Sequence, residues 1–186
     1  MITGSVTLTQ AQGNHKQFVA SDGRGHRFLI DDATGNTGPK PIELVAIGLA
    51  GCTAFDVLGI LRKKRQEVTA YKVQVEAEQK PDPPQAFTKV HIHHIVKGVD
   101  IAEQALQDAI HLSEEKYCSV GAMVKLSAEI ETTYAIVRLH QGTRSLRWFS
   151  NCETCGTGRD GRAGGSAAGG RTRAASVWKR RWTRAR

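Results

Sequence analysis

Apolar positions change their spacing twice along this chain, and the changes mark out its elements. Three short apolar-bearing runs come first, Val6-Thr7-Leu8, Gln17-Phe18-Val19-Ala20 and Arg27-Phe28-Leu29-Ile30, parted by Gly13-Asn14 and by Asp22-Gly23-Arg24-Gly25. Gly, Asn and Asp suit the backbone of tight turns, so the spacing predicts a small antiparallel meander over residues 5–31. Pro41 then stands where a first helical turn tolerates a missing N–H, and Glu43 complements the helix dipole. Leu44, Gly48, Cys52, Phe55 and Leu58 recur at steps of four and three, which predicts one apolar face of a helix reaching about Arg65. At 1.5 Å per residue it would be roughly 37 Å long, an element that runs through the middle of a domain.

The period returns to two at Tyr71. Tyr71, Val73, Val75 and Ala77 alternate with Lys72, Gln74, Glu76 and Glu78, the pattern of a half-buried strand. Pro81-Asp82-Pro83-Pro84 breaks it, and a second strand from Phe87 to Val96 completes a predicted hairpin. Asp100 and Glu103 have capping-box spacing ahead of a helix whose apolar face is Ala102, Ala105, Leu106, Ala109 and Leu112. A short turn or helix follows Cys118 as far as Met123, and Leu126, Ala128, Ile130, Thr132, Tyr134 and Ile136 are in phase for a last strand. The order β-β-β-α-β-β-α-β predicts an α+β fold with a largely antiparallel sheet packed on two main helices.

Charge divides the chain in two. The whole carries +8, yet residues 138–186 hold 12 basic and two acidic residues, whereas residues 1–137 hold 14 basic and 16 acidic. The basic character therefore belongs to the tail and says nothing about a partner of the folded part. The tail also has 11 of the arginines, all 3 tryptophans and 8 of the 19 glycines, with no periodic apolar face. We divide the chain into a domain over 1–137 and a disordered basic tail over 138–186. Out-of-frame translation of a GC-rich message gives the same composition, so a frameshift product is the competing reading of the tail. No run approaches the ~18 consecutive apolar residues of a membrane span, and Met1 to Val6 shows no signal-peptide pattern. A soluble cytoplasmic protein without a membrane partner is the expectation.

Candidate chemistry lies in Cys52 and Cys118. They are 66 positions apart in an otherwise cysteine-free span, which excludes a zinc knuckle or CxxC motif between them. Each is a buried thiol, or the two meet in space. Cys52 sits on an apolar stripe, where desolvation favours an inert thiol unless a cation stands beside it. His91 and His93 share a strand face but lack a nearby third ligand, so they read as a solvated or core-edge face. Cys152-Glu153-Thr154-Cys155 is a solitary CxxC in a Gly-rich segment and reads as incidental. Arg62-Lys63-Lys64-Arg65 ends a helix, where cations complement the dipole without a phosphate partner.

The residues around the cysteines carry a resemblance. Pro41-x-Glu43-Leu44, Gly48-x-x-Gly51-Cys52-Thr53-Ala54-x-Asp56-Val57, Ile60-Leu61-Arg62-Lys63-Lys64-Arg65 and Leu112-Ser113-x-x-Lys116-Tyr117-Cys118-Ser119-Val120 follow one another in order. Over residues 15–137 the chain resembles the OsmC/Ohr family, in its small OsmC-like branch. The resemblance implies an OsmC-like fold, an intertwined homodimer with sites at the subunit interface, and thiol-dependent reduction of organic hydroperoxides. By it Cys52 would be the peroxidatic cysteine and Cys118 the resolving one. Glu43 matches the family glutamate that, in the Ohr branch, orients an arginine from the N-terminal strands over the thiolate. Arg24 is the first candidate for that arginine and Arg27 the second, although the loop that bears them departs from the Ohr pattern. No cofactor or metal is implied beyond an external dithiol reductant. Two other readings stand beside this one: a non-enzymatic OsmC-like protein holding a small apolar ligand between subunits, and an anion- or nucleic-acid-binding module acting through the tail if that tail is genuine.

Overall fold

The N-terminal strands appear as the turn residues predict. In the computed structural model, which describes residues 1–13, 15–139 and 178–180, β1 (Gly4–Gln12), β2 (His15–Asp22) and β3 (Arg27–Ile30) form an antiparallel meander. Asp22 closes its second turn by accepting the N–H groups of Arg24 and His26 at 2.9 Å each. The loop that follows is built on two carboxylates. Asp31 accepts from the Thr37 N–H at 3.0 Å and the Asp32 N–H at 2.8 Å, and Asp32 accepts from Lys16, Thr34 and Gly35. The Thr37 hydroxyl also donates to Asp31 and, with the Thr37 N–H and His15, holds that carboxyl below the usual carboxylate range; the N–H groups led by that of Lys16 do the same for Asp32.

The long helix α1 (Pro41–Lys63) begins at Pro41, with the Glu43 carboxylate accepting the Lys40 N–H at 2.9 Å. Its buried ridge is Leu49, Thr53, Val57 and Leu61. This corrects the predicted face: Leu44, Gly48, Cys52 and Leu58 are only half buried, and Phe55 is 85% exposed. The helix is apolar nearly all round, so its sequence period does not select a face. By length and composition alone it could cross a membrane. Here it lies against the strand β4 (Glu67–Gln79) and the later helices.

Strand β4 pairs antiparallel with β5 (Phe87–Val99) over nearly its whole length. The chain then forms α2 (Glu103–Leu112), one wide π-helical turn (Ser113–Tyr117), α3 (Ser119–Val124) and β6 (Glu129–Arg138). Because a helical crossover returns the chain to the end where it started, β6 runs parallel to β5, a departure from the antiparallel expectation. The Asp100 capping box does not form. Ala102 is the N-cap of α2, and its N–H is bound by the Gln66 side chain at 2.8 Å. Within the segment read as tail, Arg138 ends β6 and β7 (Trp178–Arg180) pairs with that strand; residues 140–177, with Cys152 and Cys155, and 181–186 lie outside the described residues.

Two apolar clusters fill the space between sheet and helices. One joins Val57 and Leu61 to Val96, Leu106, Ala109 and Tyr134, under the C-terminal half of α1. The other joins Leu49 to Val90, Ile92, Val124, Ile130 and Cys118, with Cys52 packed against it. The second cluster holds both thiols.

Candidate functional site

The path from α2 to α3 decides where Cys118 points. The Cys118 N–H bonds to the Ser113 carbonyl five residues back at 2.8 Å, which is the wide π spacing. Lys125 Nζ reinforces the turn from outside, donating to the Glu114 carbonyl at 2.9 Å and the Glu115 carboxylate at 3.3 Å. The turn ends the preceding helix and makes Cys118 the N-cap of α3, its sulfur accepting the Gly121 N–H at 3.2 Å. A β-carbon on Gly121 would stand 3.1 Å from that sulfur, so glycine lets the backbone come this close.

Cys118 thereby faces Cys52, which projects from the middle of α1. Both are free thiols, Cys52 half buried and Cys118 buried. Asp56 joins them. Four residues after Cys52 it lies on the same side of α1, and one donor atom each from Cys52, Asp56 and Cys118 falls within 4.8 Å of the others. Ser113 Oγ donates to Asp56 Oδ2 at 3.1 Å and lies 3.3 Å from Thr53 Oγ1. Burial pushes the Cys118 thiol up to about 12, helped by its bond with Cys52 and by the Asp56 charge and opposed by the Gly121 N–H.

Of the residues selected from sequence, the fold brings Cys52 and Cys118 together and leaves Glu43 and Arg24 apart from them. Glu43 is nine residues before Cys52, about 13.5 Å along the helix axis, and its carboxylate is turned to the Lys40 N–H. Arg24 is exposed in the turn between β2 and β3, and Arg27 is exposed at the start of β3. Sequence reasoning noticed Asp56 only as part of a motif and missed Gly121 as a partner of sulfur. An acid at i+4 from a cysteine inside an apolar helix was the available signal for Asp56.

Other polar groups of the sheet pair with neighbours, except His94 Nε2, which is buried without a hydrogen-bond partner. His91 Nε2 and His93 Nδ1 both bond to Thr133 Oγ1, at 2.9 and 2.7 Å, along an open groove of about 570 Å³ shared with Glu76, Lys89 and Glu131. His94 faces the core, bonded through Nδ1 to the Tyr71 hydroxyl at 2.6 Å, and burial pushes it down to about 3.

A dithiol presented on this helix-and-sheet frame defines the class. Residues 34–133 match the family described as OsmC-like protein, and the chain belongs to that family. Protein YhfA of Escherichia coli K12 is 38% identical over 120 residues, covering 64% of this chain and 90% of YhfA. Among solved structures, an OsmC-like protein from Mycoplasma pneumoniae superposes with a TM-score of 0.64 at 12% identity, covering 74% of this chain and 98% of its own. An organic hydroperoxide resistance protein from Elizabethkingia anophelis does so with a TM-score of 0.53 at 15% identity, covering 75% and 96%.

Proposed function

We propose that this protein is a cytoplasmic thiol-dependent peroxidase that reduces organic hydroperoxides through Cys52 and Cys118. The observation that carries the reading is the meeting of two free thiols, far apart in sequence, at a half-buried point of the core. The substrate class is our reading, supported by membership of the OsmC-like family and by a structural neighbour, the Elizabethkingia protein, that is named for organic hydroperoxide resistance.

Cys52, the more exposed sulfur, attacks the terminal peroxide oxygen as a thiolate. The O–O bond breaks, the alcohol leaves with a proton, and Cys52 becomes a sulfenic acid. Cys118 then attacks that sulfur; the S–S bond forms and the hydroxyl departs as water with the Cys118 proton. An external dithiol returns both cysteines to thiols. Gly121, whose N–H already points at Cys118 Sγ, stabilises the second sulfur as it ionises.

The cation that ionises Cys52 comes from a second copy in this proposal. Arg24 is exposed on the meander, and Val6, Leu8 and Phe28 share one meander face that is largely uncovered, as are Ile47 and Phe55 on α1. An intertwined homodimer that laid one meander against the partner's α1 would cover both apolar surfaces and carry Arg24 toward the other copy's Cys52.

Consumption of cumene hydroperoxide with a dithiol reductant tests the reading. Cys52→Ser falls to the uncatalysed rate, and Cys118→Ser gives one turnover and then accumulates the sulfenic acid. Equal consumption by wild type and Cys52→Ser supports a second reading, a non-enzymatic ligand-binding protein. That alternative is favoured by one observation, the burial of Cys118, which with the nearby Asp56 charge disfavours a thiolate at that sulfur.

A further inference from the structure

Cys52, Asp56 and Cys118 form a donor set with chemistry beyond that of a redox pair. A tetrahedral ion holding thiolates at about 2.3 Å and a carboxylate at about 2.0–2.2 Å needs donors on the order of 3.5–4 Å apart. The three donors already lie within 4.8 Å of one another, so small side-chain rotations close the set. Two come from one face of α1 and the third from the start of α3, so packed helices fix all three. Ser113 holds the carboxylate from behind at 3.1 Å and the Gly121 N–H holds the Cys118 sulfur at 3.2 Å, the kind of outer bond that orients a metal ligand.

Two other polar clusters lack this freedom. His15, Asp31 and Asp32 are also close together, but their carboxylates are committed to backbone N–H groups and to His15 at 2.8 Å, which closes the loop before α1. His91 and His93 are both bound to Thr133.

We propose that the reduced protein binds one zinc ion per chain through Cys52, Cys118 and Asp56, with a fourth position open on the side where Cys52 reaches the surface. Two thiolates and one carboxylate select zinc over magnesium or calcium, which prefer all-oxygen sites. The proposal does not rest on peroxidase activity, because it needs two reduced sulfurs and a carboxylate and no arginine. Where both hold, zinc and hydroperoxide compete for the lone pair of the Cys52 sulfur.

The test uses the full-length protein, reduced and freed of reductant under argon, titrated with Co²⁺ and then Zn²⁺. The Cys152→Ser/Cys155→Ser variant is titrated alongside, which removes the tail thiols. Both should bind one equivalent of Co²⁺ with sulfur-to-cobalt charge-transfer absorption and the visible bands of a tetrahedral site, and Zn²⁺ should displace it. Cys52→Ser and Cys118→Ser should each lose roughly half of the charge-transfer intensity, and Asp56→Asn should keep that absorption while binding at least about 10-fold more weakly. Bound Zn²⁺ should also slow alkylation of Cys52 by iodoacetamide, a readout that does not depend on the Asp56 variant folding. The proposal is overturned if the tail variant shows no charge-transfer band, if the band survives loss of both Cys52 and Cys118, or if Asp56→Asn binds with wild-type affinity.

Discussion

Burial gives the pair of cysteines its asymmetry, Cys52 being half buried and Cys118 buried. At Cys118 burial opposes a thiolate, with the hydrogen bond to Cys52 and the Asp56 charge adding to it, so Cys118 is a proton-bearing thiol near neutral pH. At pH 8 its alkylation by iodoacetamide should be roughly 10³-fold slower in the native protein than in urea, and Asp56→Asn should narrow the gap by removing the charge. A native rate equal to the urea rate would contradict the burial argument. His94 makes a prediction about stability. Its folded value near 3 lies below the ordinary value of 6.5, so between these the unfolded chain takes up a proton that the folded chain refuses. The stabilisation is complete above pH 6.5 and is lost as pH falls toward 3. Urea unfolding at pH 7.5 and pH 5 should differ by about 2 kcal/mol from this residue, and His94→Leu should remove that part of the difference. A pH dependence unchanged by the substitution would show that His94 is not its source.

Among the elements, α1 shows both what could be read from the sequence and what could not. Strand β4 alternates in two-residue steps against a solvated face, so its inward side at Tyr71, Val73 and Val75 was legible. The helix is apolar on several sides, and the stripe through Cys52 and Phe55 was as regular as the ridge that is buried. Which face is covered depends on β4, α2 and α3, contacts distant in sequence. The parallel direction of β6 and the failed cap at Asp100 have the same origin, since both are settled by the crossover and by Gln66 from 36 residues away. The cysteine contexts were legible because local residues carry them. The closeness of Asp56, Ser113 and Gly121 to the sulfurs was not, because it is set by the π turn. Leu61→Ala should cost about 3 kcal/mol by leaving a cavity in the first cluster, against less than about 1 kcal/mol for Leu44→Ala at the half-buried face. Denaturant titration separates the ridges, and equal costs would mean that the buried face is misassigned.

For the molecule as a whole, the uncovered apolar residues of the meander and α1 are a surface that a second copy would bury. Phe55, 85% exposed, is the sharpest probe of that surface. Phe55→Asp should leave the folded chain intact by circular dichroism and shift its mass in sedimentation from twice that of one chain to that of one chain. A wild type that sediments as a monomer would remove the route by which Arg24 reaches Cys52. The central claim, that Cys52 attacks and Cys118 resolves, is tested most directly by the intact mass after one equivalent of cumene hydroperoxide. The account predicts a loss of about 2 Da in wild type, a gain of about 16 Da in Cys118→Ser and no change in Cys52→Ser. A wild-type mass that stays constant, or a 16 Da gain that persists in Cys52→Ser, would contradict it.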